Sequence, residues 1–249
     1  MSDYIFGKNS VLELLVNSDR NVNKILLSKA LHKDNKIDKI IELARKKNIV
    51  FQFVPKEKFQ QFSEHSHQGV VAYVAPIEYM DLDDFLEKEK KYKKVVILDG
   101  VEDPHNLGSI IRTSVCAGFD AIILPSRRTS VVNSTVEKSS AGAINHIDII
   151  VVNSLQAAVS KLKDNNFWII ASDLSAKDNY FEIDYCDMSF AIVMGSEKSG
   201  ISNSILKHSD FKVKIPMYNE FDSLNVANAA SIIIYESIRQ TIQKSNLIV

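Results

Sequence analysis

The chain has 249 residues, 45% hydrophobic and 24% charged, with a formal net charge of −1. That balance suits a globular protein of one or two domains. It excludes a chain drawn to nucleic acid by overall charge alone, so any basic footprint must be local. No apolar stretch approaches the roughly 18 residues needed to span a bilayer. The start, Met1-Ser-Asp-Tyr-Ile-Phe-Gly7, lacks the basic region and apolar core of a signal peptide, so the expected location is the cytoplasm. Cys116 and Cys186 have no CxxC spacing and no nearby His cluster, which argues against a disulfide framework or a structural metal.

In chain order, Val11, Leu12, Leu14 and Leu15 suit a short helix, and Lys24 to Ser28 a strand. Ile37, Ile40, Ile41 and Ala44 recur at helical spacing. Ile49 to Val54 and Gly69 to Ala75 read as strands, the latter closed by Pro76. Residues 1–76 therefore form a small α/β domain. Residues 77–94 turn acidic and Lys-rich with little deep-core character, a partly helical linker in which Leu82, Phe85 and Leu86 pack locally.

The second domain, 95–249, opens on Val95-Val-Ile-Leu98, a run typical of a buried parallel strand. Asn106 is placed to cap a helix running to Ala117, with Gly118 just past its end. Ala121 to Leu124 is the next strand. Further strands are expected at 147–152, 167–171, 190–194 and 211–215, and helices near 133–142, 154–164, 202–207 and 224–243. This alternation predicts a parallel sheet covered on both faces.

Three motifs follow predicted strands, where open α/β sheets bind ligands. They are Asn106-Leu-Gly-Ser-Ile-Ile-Arg112, Met194-Gly-Ser-Glu-Lys-Ser-Gly200 and Ser223-Leu-Asn-Val-Ala-Asn228. Capping alone accounts for Asn106. Arg112 follows two isoleucines, and a guanidinium there calls for a carboxylate or phosphate. Glu197 lies between Gly195 and Gly200 in a tight loop. Ser223 is placed to cap the last helix, which leaves Asn225 in need of another partner. His65 and His67 lack a third ligand and read as a turn, and His105 reads as a loop residue. Lys88 to Lys94 read as solvated surface, while Arg127-Arg128 is either that or a local basic footprint. There is no GxSxG, HExxH, Walker A or GxGxxG sequence, which weighs against hydrolase, metalloprotease, NTPase and dinucleotide enzymes.

At these residues the chain resembles the SpoU (TrmH-type) RNA ribose 2′-O-methyltransferases of the SPOUT superfamily. The first family motif matches Leu98 to Thr113, the second Ile192 to Glu197, and the third Ile215-Pro-Met217 with Ser223-Leu-Asn-Val226. Phe6 to Leu15 and His67 to Ala72 resemble the family's amino-terminal substrate-binding domain, similar to the ribosomal protein L30e fold. Most similar is the branch that methylates a guanosine in 23S ribosomal RNA. The resemblance implies a carboxy-terminal domain with a trefoil knot, dimerisation through that domain, and S-adenosylmethionine held near Gly195, Ile215, Met217 and Leu224. It assigns the chemistry to Asn106, Arg112, Glu197, Ser223 and Asn225, with Asn106 and Glu197 orienting Arg112, and it implies no metal. Lys8, Arg45, Lys46 and Lys47 are expected phosphate contacts. Two departures stand out: Lys198 where relatives carry glycine, and Ala227-Asn228 in the third motif. A transfer RNA substrate, or an RNA-binding protein with an impaired transferase site, are the other readings.

Overall fold

A computed structural model describes residues 3–245 except 18–19, 32–33, 65, 76–77, 128, 130–131, 133 and 220–222. His65, Pro76 and Arg128 therefore lie outside the described residues. The chain divides into two compact units, one of residues 1–78 with 132–145, the other of residues 79–131 with 146–249.

The smaller unit runs β1 (Asp3–Phe6), α1 (Lys8–Asn17), β2 (Val22–Ser28), α2 (Asn35–Lys46), β3 (Val50–Val54) and β4 (Val70–Val74). Its sheet has the order β1-β4-β2-β3, with β2 and β3 parallel and the other pairs antiparallel. Side chains alternate across the pleat. Ile25, Leu27, Val70, Ala72 and Val74 pack with the apolar stripes of α1 and α2, while Leu26 and Val71 meet Phe59 and Phe62. β1 has no counterpart among the sequence expectations: four residues are too few to display a period. His67 stacks on Phe59 at 4.9 Å between ring centroids, and its Nδ1 accepts the Gly69 N–H at 2.9 Å. That is the turn expected of it.

The larger unit opens on α3 (Leu82–Glu87), β5 (Lys94–Asp99), α4 (Pro104–Cys116) and β6 (Ala121–Pro125). The chain next forms α5 (Ser134–Ser139), which belongs by its contacts to the smaller unit. It returns with β7 (Asp148–Val152), α6 (Leu155–Asp164), β8 (Phe167–Ser172), β9 (Asp178–Asn179), β10 (Ser189–Gly195), α7 (Asn203–His208), β11 (Phe211–Lys214) and α8 (Val226–Ser245). The seven strands are all parallel, in the order β7-β6-β5-β10-β8-β11-β9. Val95 and Ile97 face a core built with α3, α6 and α7. Val96 and Leu98 point the other way, where α4 and α8 lie together.

Two expectations change here. The helical stretch expected there forms as α3, but Leu82 and Phe85 pack well beyond it. Phe85 is 1% exposed and belongs to the main core, and Met80 bridges to Ile150, so the acidic surface of α3 concealed a buried edge. The helix expected at 133–142 is shorter, and a 3₁₀ turn at Ala143–His146 follows it. Glu137 on α5 pairs with Arg20, their side chains 12% and 7% exposed, and Arg20 Nε donates to the Ala75 carbonyl at 2.7 Å. Removing Glu137 takes one counter-charge from a buried guanidinium. Glu137→Ala is expected to lower stability by about 3 kcal/mol in urea unfolding. A loss of under about 1 kcal/mol would show that the pair behaves as a surface one.

Candidate active site

Strand order places the site. From β5 the chain moves outward through β6 and β7, then crosses to β8 on the far side of β10. The loops that leave the neighbouring strands β5 and β10 therefore face each other at a switch point, where open sheets bind ligands.

The β5 loop ends in α4. Asp103 is the N-cap, its Oδ1 accepting the His105 N–H at 2.9 Å, and Pro104 fills the first helical position. This corrects the expectation that Asn106 caps the helix. Asn106 sits one turn in, with its amide free for other work, and His105 is an exposed first-turn residue rather than a loop residue.

The β10 loop is a closed hairpin. Ser196 N–H donates to the Gly200 carbonyl at 3.2 Å, and Gly200 N–H to the Ser196 carbonyl at 2.9 Å. Ser196 Oγ braces the interior by accepting the Ser199 N–H at 3.1 Å. Asp99 accepts the Ser202 N–H at 2.8 Å, which ties the loop's exit to the end of β5. Lys198 lies at the exposed tip, and its φ is not positive. The loop thus does not require glycine there.

Asn225 caps α8. Its Oδ1 accepts the Ala227 N–H at 3.0 Å, and its backbone carbonyl takes the Ala229 N–H at 2.9 Å. Ser223, expected in that role, lies two residues upstream in the loop. The extra polar group that sequence alone could not explain is the cap itself. Asn225 Nδ2 also donates to Glu197 Oε1 at 2.9 Å and to Asn106 Oδ1 at 3.0 Å. Glu197 Oε1 further accepts Asn106 Nδ2 at 3.4 Å and the Val226 N–H at 3.4 Å. One carboxylate oxygen thus joins all three motifs. A negative charge at the first turn of a 20-residue helix is also favoured by the helix dipole.

Beside this triangle is a cavity of about 270 Å³. Gly195, Ile215, Met217, Ser223 and Leu224 all line it. Among the described residues, the backbone N–H groups of Met217 and Leu224 have no hydrogen-bond partner. Unspent N–H groups beside apolar side chains suit a flat heteroaromatic ring with polar edges.

Arg112 is not brought into this cluster. It lies six residues beyond Asn106, about 9 Å along α4 and on another face. It is exposed, and among the described residues it makes no hydrogen bond or ion pair. Asn106 and Glu197 hold Asn225 and the start of α8 instead of the guanidinium. Thr113, beside Arg112, meets Ser231 of α8 at 3.1 Å, so α4 and α8 present Arg112 from a shared surface.

Residues 93–235 match the model of the SpoU rRNA methylase family, and residues 4–80 match that of the RNA 2′-O ribose methyltransferase substrate-binding domain. The chain belongs to the SpoU rRNA methylase family. A Staphylococcus epidermidis protein named for the TrmH family of tRNA/rRNA methyltransferases is 43% identical over 239 residues, 95% of each chain. Among solved structures, the SpoU methyltransferase AviRb from Streptomyces viridochromogenes superposes with a TM-score of 0.80 at 24% identity, over 98% of this chain and 91% of that one. An AdoMet-bound rRNA methyltransferase from Sinorhizobium meliloti gives 0.78 at 23%, over 96% and 87%. At those identities the superpositions speak for the fold, which they extend across both units of this SpoU chain.

Proposed function

We propose that this SpoU protein transfers a methyl group from S-adenosylmethionine to a ribose 2′-OH of RNA, in the cytoplasm, with a guanosine of 23S ribosomal RNA as the target. The supporting observation is the meeting of three motifs at Glu197, beside a cavity lined by Gly195, Ile215, Met217 and Leu224. The bound cofactor would supply an activated methyl on its sulfonium.

The chain's own residues then have separable tasks. Ile215, Met217 and Leu224 hold the cofactor, with Gly195 and Ser223 shaping the wall. Asn106, Glu197 and Asn225 fasten the β10 loop to α4 and α8, so that the wall keeps its shape. Arg112, on the other face of α4, works at the reacting ribose of the partner's site, reached across the homodimer. A guanidinium resists deprotonation and is a poor base. It can instead hold the 2′-OH beside an RNA phosphate, which receives the proton. Exposed Ser109 and Cys116 on α4, with Tyr235 on α8, form the surface we assign to a homodimer, and Arg112 projects from its edge toward the RNA. The family's trefoil knot, in the segment leading to α8, belongs to the same reading. Lys8 and residues 45–47 supply phosphate contacts in the smaller unit, whose affinity for RNA should fall as salt rises.

The test incubates the full chain with radiolabelled S-adenosylmethionine and separate ribosomal and transfer RNA, followed by alkaline hydrolysis. A 2′-O-methyl blocks cleavage at its own linkage, so label is expected in alkali-stable dinucleotides from 23S RNA. Label released in mononucleotides would overturn ribose as the acceptor. Label confined to transfer RNA would move the substrate, and absence of cofactor binding in calorimetry would leave an RNA-binding protein with an impaired site.

A further inference from the structure

A second, larger cavity of about 860 Å³ opens beyond the carboxyl ends of β5, β6 and β10. It shares Ser196, Glu197, Lys198, Gly200 and Val226 with the smaller one, so the two meet across the tip of the β10 loop. Three charged residues on its wall are exposed and uncommitted. Among the described residues, Glu102, Arg127 and Lys198 make no hydrogen bond or ion pair. The cavity's other carboxylates are already engaged. Asp99 holds Ser202, Asp103 caps α4, and Glu197 joins the three motifs.

The strand order arranges these charges. Glu102 follows β5, the middle strand of the three; Arg127 follows β6 on one side, and Lys198 follows β10 on the other. Strands β6 and β10 are two spacings apart, roughly 10 Å. A carboxylate flanked by two cations complements one nucleotide of a single strand, with a phosphate on either side of it and a base between. A Glu carboxylate only accepts hydrogen bonds, through two oxygens. Guanine is the base whose Watson–Crick edge offers two adjacent N–H donors, N1–H and N2–H. Adenine and cytosine offer one amino group there, and uracil a single N–H. RNA-binding proteins read such edges on bases turned out of the stack.

We propose that this cavity receives the target nucleotide, that Arg127 and Lys198 bind its flanking phosphates, and that Glu102 selects guanine. The assignment rests on the methyl-transfer reading and supplies its base specificity. It also gives Lys198, the departure from the family's glycine, a task on the RNA side of the loop.

The test uses the full chain and the trinucleotides UpGpU, UpIpU and UpApU, titrated by saturation-transfer NMR with and without S-adenosylhomocysteine. Inosine lacks the N2 amino group and so removes half of the two-donor edge. UpGpU is expected to bind about tenfold tighter than UpApU, with UpIpU between them, because a site built for a donor pair rejects analogues that lack it. Glu102→Gln should bring the three within roughly twofold of one another without changing the melting temperature or the S-adenosylhomocysteine affinity. Arg127→Ala and Lys198→Ala should weaken all three ligands by a common factor. Equal affinities in the unmodified protein, a preference that survives Glu102→Gln, or no binding of any trinucleotide at millimolar concentration would each overturn the assignment. S-adenosylhomocysteine is titrated separately by calorimetry. Its failure to bind would sink the methyl-transfer reading, while the guanine preference is decided by the trinucleotides alone.

Discussion

Arg112→Ala should lower methyl transfer by about 10³-fold, the scale seen when a group acting on the reacting atoms is removed. It should leave S-adenosylmethionine affinity and the melting temperature unchanged. The side chain is exposed and has no partner among the described residues, so its loss strands nothing. It is also absent from the lining of the smaller cavity, so cofactor contacts do not depend on it. Arg112→Lys should recover little, because an ammonium cannot hold a hydroxyl and a phosphate in one planar fork. Single-turnover rates on the RNA found to be the substrate, with calorimetry for the cofactor, decide the matter. Near-normal turnover would remove Arg112 from the chemistry. A raised KM for RNA with unchanged kcat would make it a phosphate anchor that binds ground and transition states alike.

Much of the architecture was legible because the strands are parallel and buried on both faces. Val95 to Leu98, Ala121 to Leu124 and Phe190 to Met194 are unbroken apolar runs, and each stands as a strand. What escaped depends on partners distant in the chain. β1 is four residues long and has meaning only beside β4. Phe85 is buried because α3 packs against strands that arrive later in the sequence. α5 joins the smaller unit through the ion pair of Glu137 with Arg20.

The site shows the same division. Its residues were legible as motif members after predicted strands, and the resemblance gave them a cofactor and a reaction. Their individual tasks were not. Asn106 and Ser223 each had a plausible capping role, but Asp103 and Asn225 hold those positions. A cap is fixed by where the helix begins, and Pro104 moves that start by a few residues. The role of Glu197 as a common acceptor needs three separate loops in place, which no local pattern encodes. Lys198 is a departure in sequence, yet its backbone does not occupy the left-handed region that would favour glycine.

Gly195→Ala should be more damaging than the same change at Gly100, Gly118 or Gly200 of the larger unit. A Cβ at Gly195 would stand 2.2 Å from the Gly200 carbonyl carbon and 2.4 Å from Ile201 N, both of them backbone atoms that no side-chain rotation can clear. The β10 loop would have to open, breaking the Ser196–Gly200 pairing and drawing Glu197 away from Asn225. Asn106 and Asn225 would then lose their shared acceptor, and the wall formed by Gly195, Ile201 and Leu224 would shift. The expected cost is about 3 kcal/mol of stability. Cofactor affinity should fall by roughly 30-fold or more, equivalent to about 2 kcal/mol. Gly200→Ala is the control in the same loop. Nothing lies within 4 Å of its added Cβ, and its φ of +64° costs an alanine only about 1 kcal/mol. If the two variants lose stability and cofactor affinity equally, backbone strain governs the loop. If Gly195→Ala alone loses both, close packing of the loop on itself holds the three motifs at Glu197. If neither loses cofactor affinity, the smaller cavity is not the cofactor site.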